Sequence, residues 1–247
     1  EEEQADEVGI GLDPREDRRG HSPKELLSAH ARVDGEVSRD EKIAHCAALT
    51  AATSIPITAD LENGFGDAPE DVSQTVMLAI RAGLAGGSIE DYTGDPANPL
   101  YDSDLAVERI AAAVETIRKL DASFVLTARA EQMLRSDRDL DATIARLQAF
   151  EKAGADVLYA PGLKTIEEVS AVLAAVTLPV NVLMSGLPDS SVPALGALGV
   201  RRISTGGALA YATVKPLLDA GKEMLGDGGF GWFSGIASGK EIKSLLK

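Results

Sequence analysis

Cysteine is nearly absent from this chain: Cys46 is the only one in 247 residues. No internal disulfide is therefore available, and a reducing compartment, the cytoplasm, is the simplest expectation. Basic residues are also in deficit, 24 Lys and Arg against 39 Asp and Glu, for a formal charge of −15. Nucleic acid and anionic membrane surfaces both call for a basic face, so neither is expected as a partner. A small anionic substrate is not excluded, but it needs local positive charge from a metal or a placed arginine. No apolar run approaches the ~20 residues that span a bilayer. The opening "EEEQADEVGIGLDPREDRRG" lacks the charged-then-apolar layout of a signal peptide. Histidine is scarce too. His21, His30 and His45 form no metal-ligand spacing.

What is present is a repeating alternation. "SRDE" at 38–41 reads as a capping box opening a helix to about Thr50. The short β-branched run "IPITAD" (55–60) follows, and Pro69 starts a helix with Val72, Val76 and Ile80 on one stripe. Strands are then expected at "GSIED" (87–91), "FVLTARA" (124–130), "VLYAPG" (157–162), "LPVNVLM" (178–184) and "VRRISTGG" (200–207), with helices between them. One of these helices, "DLAVERIAAAVETIRKL" (104–120), is strongly amphipathic, and Thr165 with Glu168 makes a second capping box. Such spacing implies parallel strands with right-handed crossovers. With no dinucleotide fingerprint, the pattern favours an α/β (β/α)8 TIM-type barrel; an open doubly wound sheet is the alternative. Residues 1–37 are polar and broken, with "EVGIGL" (7–12) a poor strand candidate and "SPKELLSAHA" (22–31) helix-like. The expected organisation is an irregular segment over 1–37, a catalytic barrel over 38–225 that is incomplete or irregular at its start, and a linker with a helix over 226–247.

In a barrel the loops beyond the strands' C-terminal ends converge on one face. There the strands deliver Asp60 and Glu62, Glu90 and Asp91, Arg129 and Glu131, then Pro161-Gly162, Asn181 with Ser185, and Ser204 to Gly207. Residues two apart in a strand point the same way, which pairs Asp60 with Glu62 and Arg129 with Glu131. Several carboxylates beside one arginine suit a hard cation such as Mg²⁺, with Mn²⁺ as the alternative, and an arm for a substrate carboxylate. The cation would offset the repulsion between Asp60 and Glu62, while Gly64 and Gly66 turn the backbone clear of the pocket. The bland readings are solvated strand-end carboxylates, Arg129 as a structural partner of Glu131 or Glu90, Asp91 as a loop cap, "STGG" (204–207) as a tight turn, and Cys46 as core packing.

"TADLENGFGD" (58–67), "GGSIEDYTGD" (86–95) and "FVLTARAE" (124–131), in this order, resemble the isocitrate lyase/phosphoenolpyruvate mutase superfamily, in particular its small carboxyphosphonoenolpyruvate mutase-like and oxaloacetate decarboxylase-like branch. The resemblance runs from about residue 34 to residue 209. It implies an α/β barrel, a homo-oligomer (dimer or tetramer) exchanging C-terminal helices, and Mg²⁺ bound with a small 2-oxo or enolate-forming acid. By position, it implies Asp60, Glu62 and Glu90 as metal residues and Arg129 as the anchor for the substrate carboxylate or phosphonate. Arg129 and Glu90 are the catalytic candidates, and Arg129, Asn181 and Gly64 the substrate-binding ones. The loop after the "ED" motif, "YTGDPANPLYDSD" (92–104), has no cysteine, lysine or histidine, whereas lyases of the superfamily carry a catalytic cysteine there and mutases a lysine. A Ser-Ala-Gly-like substrate loop has only Ser28-Ala29-His30 as a trace. The expectation is a cysteine-independent lyase or decarboxylase. Phosphonomutase or phosphonopyruvate hydrolase chemistry, and a catalytically silent ligand-binding protein, are the alternatives.

Overall fold

The computed structural model describes residues 37–120 and 122–245. The candidate elements at 7–12 and 22–31, and Ser28-Ala29-His30, lie outside the described residues. Helix α1 (Arg39–Ala52) opens on the Ser38–Glu41 capping box and is followed by β1 (Thr58–Asp60), α2 (Pro69–Arg81) and β2 (Gly86–Glu90). Next come α3 (Ser103–Lys119), β3 (Val125–Arg129), the short α4 (Gln132–Arg135) and α5 (Leu140–Ala153). Strand β4 (Val157–Tyr159), α6 (Ile166–Ala175), β5 (Val180–Leu183), α7 (Val192–Leu198) and β6 (Arg202–Ser204) complete the alternation. Two more helices follow, α8 (Ala208–Gly226) and α9 (Gly239–Leu245), with a 3₁₀ turn at Gly231–Gly235 between them. That turn stands where a featureless connection was expected.

The six strands are all parallel and lie in the order β1-β2-β3-β4-β5-β6. Right-handed crossovers between neighbours taken in strict sequence put every helix on the same side of the sheet. That curls the sheet into a half-barrel and excludes the doubly wound alternative, in which helices cover both faces. The described sheet is not a complete eight-stranded barrel: β1 and β6 each pair with one neighbour only. The strands are also shorter than the apolar runs suggested. In "IPITAD" the ladder starts at Thr58, because Pro56 has no N–H to give and Ile55 is left exposed.

Register sorts the side chains into two faces. Outward, against the helices, point Ile89, Leu126, Ala128, Leu158, Val180 and Val182, each at most 1% exposed. They pack with Val72, Val76, Ile110, Leu147 and Val172 of the helices. Inward, Glu90, Arg129, Tyr159, Asn181 and Arg202 follow one another across five strands in a single layer. The core therefore lies between sheet and helices, and the concave face is left to polar chemistry. Cys46 is buried in this core, as expected, and His45 is exposed. No helix among the described residues is long and apolar enough to cross a membrane.

Candidate functional site

The concave face opens into a cleft of about 1320 Å³ whose wall includes Asp60, Glu62, Ser88, Glu90 and Arg129. Strands β1, β2 and β3 end side by side here, which brings Asp60, Glu90 and Arg129 together although 30 and 39 residues separate them in turn. Arg129 Nη1 lies 2.7 Å from Asp60 Oδ2 and 3.1 Å from Glu90 Oε2, and its Nε donates to Glu131 Oε1. Its guanidinium also lies 5.4 Å from the centre of the Tyr159 ring. Burial works against the charged guanidinium, but Glu131, Glu90 and Asp60 outweigh it and hold its pKa above the ordinary value. Burial pushes the Glu90 carboxyl up to about 8; Arg129 opposes the rise, and Glu131 and Asp60 add to it.

The guanidinium is thus the positive group that offsets the crowded carboxylates. Among the described residues no three of His, Cys, Asp and Glu gather to hold one ion, so Asp60, Glu62 and Glu90 do not form the expected three-carboxylate cluster. A magnesium ion still fits the donor set that is there. Mg²⁺ keeps several waters and takes one or two carboxylates; Asp60 is half exposed beside Glu90, and among the described residues its Oδ1 accepts from Glu62 N and the Ser88 hydroxyl.

The loop that carries Glu62 is held from below. Arg109 of α3 is 1% exposed, sits on the apolar stripe of its helix, and donates to the carbonyl oxygens of Asn63, Gly66 and Asp67. Its guanidinium stacks 4.2 Å from the Tyr101 ring centre, and Tyr101 in turn donates to Asp67 Oδ1 at 2.6 Å and accepts from Asn63 Nδ2 at 3.0 Å. Burial first, then the bond to Asp67, pushes the Tyr101 phenol up to about 12. Tyr101 is therefore committed to the fold rather than free to serve a substrate, while Tyr92, on the same loop, lines the cleft. Glu62 and Phe65 adopt left-handed φ values of 52° and 60°, a strained state that persists where neighbours fix it.

Two expected substrate contacts lie outside the cleft wall. Gly64 is not part of the cleft wall: its φ is +83° and it packs against α2. A Cβ there would meet Val72 Cγ2 at 2.9 Å, so Gly64→Ala is expected to cost about 2 kcal/mol, read from the denaturant midpoint. Asn181 is fully buried and donates to Ser204 Oγ at 3.0 Å, and neither it nor Ser185 lines the cleft. Asp91 acts as the loop cap of the bland reading. Its Oδ1 accepts from Glu131 N at 2.7 Å and its Oδ2 lies 3.2 Å from Arg146 Nη1. Burial, opposed by the Glu131 N–H and Arg146, raises its carboxyl to about 6.

Sequence reasoning missed Tyr159, Arg135 and Arg202, all in the cleft wall. Counting register inward from Arg129 would have found Tyr159 and Arg202; Arg135 sits on a helix of four residues, too short to leave a periodic signal.

Comparison with known proteins gives one family match and three individual likenesses. The profile of the family described as phosphoenolpyruvate phosphomutase matches residues 24–225. Oxaloacetate decarboxylase 2 of Pseudomonas fluorescens (strain Pf0-1) is 31% identical over 195 residues, 77% of this chain and 66% of that protein, so the chain spans just under two thirds of this relative's length. Among solved structures, a Burkholderia cenocepacia J2315 protein with a provisional lyase/mutase description is 51% identical, with a TM-score of 0.80 over 85% of this chain and 76% of that one. A phosphonopyruvate hydrolase, solved with oxalate and Mg²⁺, is 26% identical with a TM-score of 0.75, covering 90% of this chain and 80% of its own.

Proposed function

Because the chain belongs to the phosphoenolpyruvate phosphomutase family, we propose that it is a Mg²⁺-dependent lyase or decarboxylase of a small 2-oxo or 2-hydroxy carboxylic acid, working through an enolate. One observation carries this reading: Asp60 Oδ2 and Glu90 Oε2 meet on a single nitrogen of Arg129, at 2.7 and 3.1 Å, on the rim of a polar cleft. Metal-holding carboxylates and an anion-binding guanidinium are thereby within reach of one small acid.

Each residue has a role that follows from its surroundings. Asp60 and Glu90 would hold the ion directly, and Glu62, on the loop after β1, would reach it through a water. A divalent ion held there would stabilise negative charge developing on the substrate's oxygens. Arg129 binds the substrate carboxylate: its Nε and Nη1 are engaged by Glu131, Asp60 and Glu90, and Nη2 has no partner among the described residues. Glu131, fully buried, fixes the plane of that guanidinium. Decarboxylation needs no strong acid at first, since CO₂ departs by itself and water returns the proton. It therefore suits a loop, 92–104, without cysteine, lysine or histidine. P–C bond chemistry is the second reading, supported by the family's description and by the likeness to a phosphonopyruvate hydrolase.

We place the half-barrel within a (β/α)8-type barrel assembled as a homo-oligomer. Helix α8 leaves Leu209, Leu217 and Leu225 72%, 72% and 87% exposed, an apolar surface of the kind that another protein surface covers.

Assays of oxaloacetate, methylmalate-type acids and phosphonopyruvate, each with and without Mg²⁺, separate the readings. On the acid that turns over, Asp60→Ala is expected to lower the rate about 100-fold or more, and EDTA to do the same. Unchanged turnover in the Asp60 variant would sink the metal reading.

A further inference from the structure

The charges around Arg129 do not balance. One guanidinium faces Asp60, Glu90 and Glu131, so an incoming substrate anion meets a centre that is already acidic on three sides. A second guanidinium stands beside it. Arg135, at the end of α4, has its Nε 3.4 Å from Glu131 Oε2, while Arg129 Nε is bonded to Oε1 of that same carboxylate. The two arginines thus flank opposite oxygens of one buried carboxylate, a separation that a short diacid bridges.

Arg135 is also held in place. Its guanidinium carbon lies 4.5 Å from the centre of the Tyr92 ring, and stacking on an aromatic face together with one ion pair fixes a guanidinium plane without using its terminal nitrogens. Those terminal nitrogens have no acceptor among the described residues, the side chain is 36% exposed, and it lines the same cleft as Arg129. Arg109 and Arg146, by contrast, spend theirs on backbone carbonyls or a buried carboxylate. A pre-oriented guanidinium with unspent donors at a cleft wall is suited to bind a carboxylate.

We infer that Arg135 is a second anion anchor, taking the distal carboxylate of a dicarboxylic acid whose first carboxylate docks on Arg129. This rests on the reading of the cleft as a carboxylic-acid site and narrows it: the ligand is a diacid, and monocarboxylic acids bind weakly. Arg135 acts on specificity and touches the end of the substrate remote from Asp60.

Malate and lactate test it, being 2-hydroxy acids that differ by the distal carboxylate alone. Titration calorimetry with Mg²⁺ present is expected to show the full chain binding malate at least tenfold more tightly than lactate. Arg135→Gln is expected to weaken malate about 10–100-fold and leave lactate unchanged, which is the range of one charge-assisted contact. Arg135→Lys should recover part of the loss. Equal weakening of both acids would mean that Arg135 only props Glu131 and Tyr92, and would overturn the inference. No preference in the wild-type chain, no binding of either acid, or no effect of Arg135→Gln would overturn it as well. Binding needs no turnover. An inert protein that still prefers malate through Arg135 sinks the catalytic reading alone.

Discussion

Arg129→Met is expected to cost about 3–5 kcal/mol, lower the melting midpoint by roughly 10 °C, and reduce turnover about 10³-fold or more. The stability loss follows from what the guanidinium leaves behind. Glu131 is fully buried and Glu90 is 8% exposed; Glu90 loses its ion-pair partner among the described residues, and Glu131 keeps only the longer contact to Arg135 Nε at 3.4 Å. An uncompensated buried charge is more damaging than the pair it came from was stabilising. On the proposed reading the loss of rate has the same origin, since the guanidinium proposed to anchor the substrate carboxylate is gone. Arg129→Lys separates the two effects. Its single ammonium keeps the charge but cannot meet Glu131, Asp60 and Glu90 through a planar fork, so most of the stability should return and little of the rate. Melting followed by circular dichroism, with initial rates on the preferred acid, checks both. A Met variant that melts like the wild type would refute the argument.

The second large effect is predicted far from the substrate. Arg109→Met leaves the part-buried carbonyls of Asn63, Gly66 and Asp67 without their buried donor, and removing one partner of such a cluster costs about 2–4 kcal/mol. The functional consequence passes through the backbone. Glu62 and Phe65 hold positive φ only while their surroundings insist on it. Released from Arg109, residues 61–67 should relax and draw Glu62 and Asp60 away from Glu90. Hydrogen exchange at the amides of 61–67 is expected to accelerate at least tenfold in the variant, with exchange in α5 and α6 unchanged, and Arg109→Lys should restore part of the protection. Uniform acceleration over the whole chain would mean that Arg109 serves global stability alone.

Much of this was legible in the residues. The Ser38–Glu41 and Thr165–Glu168 capping boxes, Pro69 at a helix start and Gly154 at a left-handed helix end all sit where their local chemistry puts them. Local chemistry depends on few neighbours, so sequence alone carries it. The meeting of Asp60, Glu90 and Arg129 could also be foreseen, because parallel strands end on one rim. What stayed hidden depends on register and depth. Nothing within "ENGFG" says that Gly64 turns to Val72 rather than to the cleft. Likewise nothing in "PVNVL" says that Asn181 spends its amide on Ser204. Arg109 had left a trace, a cation on the apolar stripe of an otherwise regular amphipathic helix. The pairing of Arg129 with Glu131 and Glu90 matches the bland reading of that residue; its added contact with Asp60, which sets one guanidinium among three carboxylates, had no signal in the sequence.

The division of labour across the sheet has an outcome for redesign. Because Ile89, Leu126, Leu158 and Val182 anchor the scaffold from behind, the less buried cleft-wall positions Ser88 and Arg202 on the opposite surface can be randomised together with modest risk to folding. A combinatorial library at those two sites is therefore a direct route to an altered cleft on an unchanged chassis.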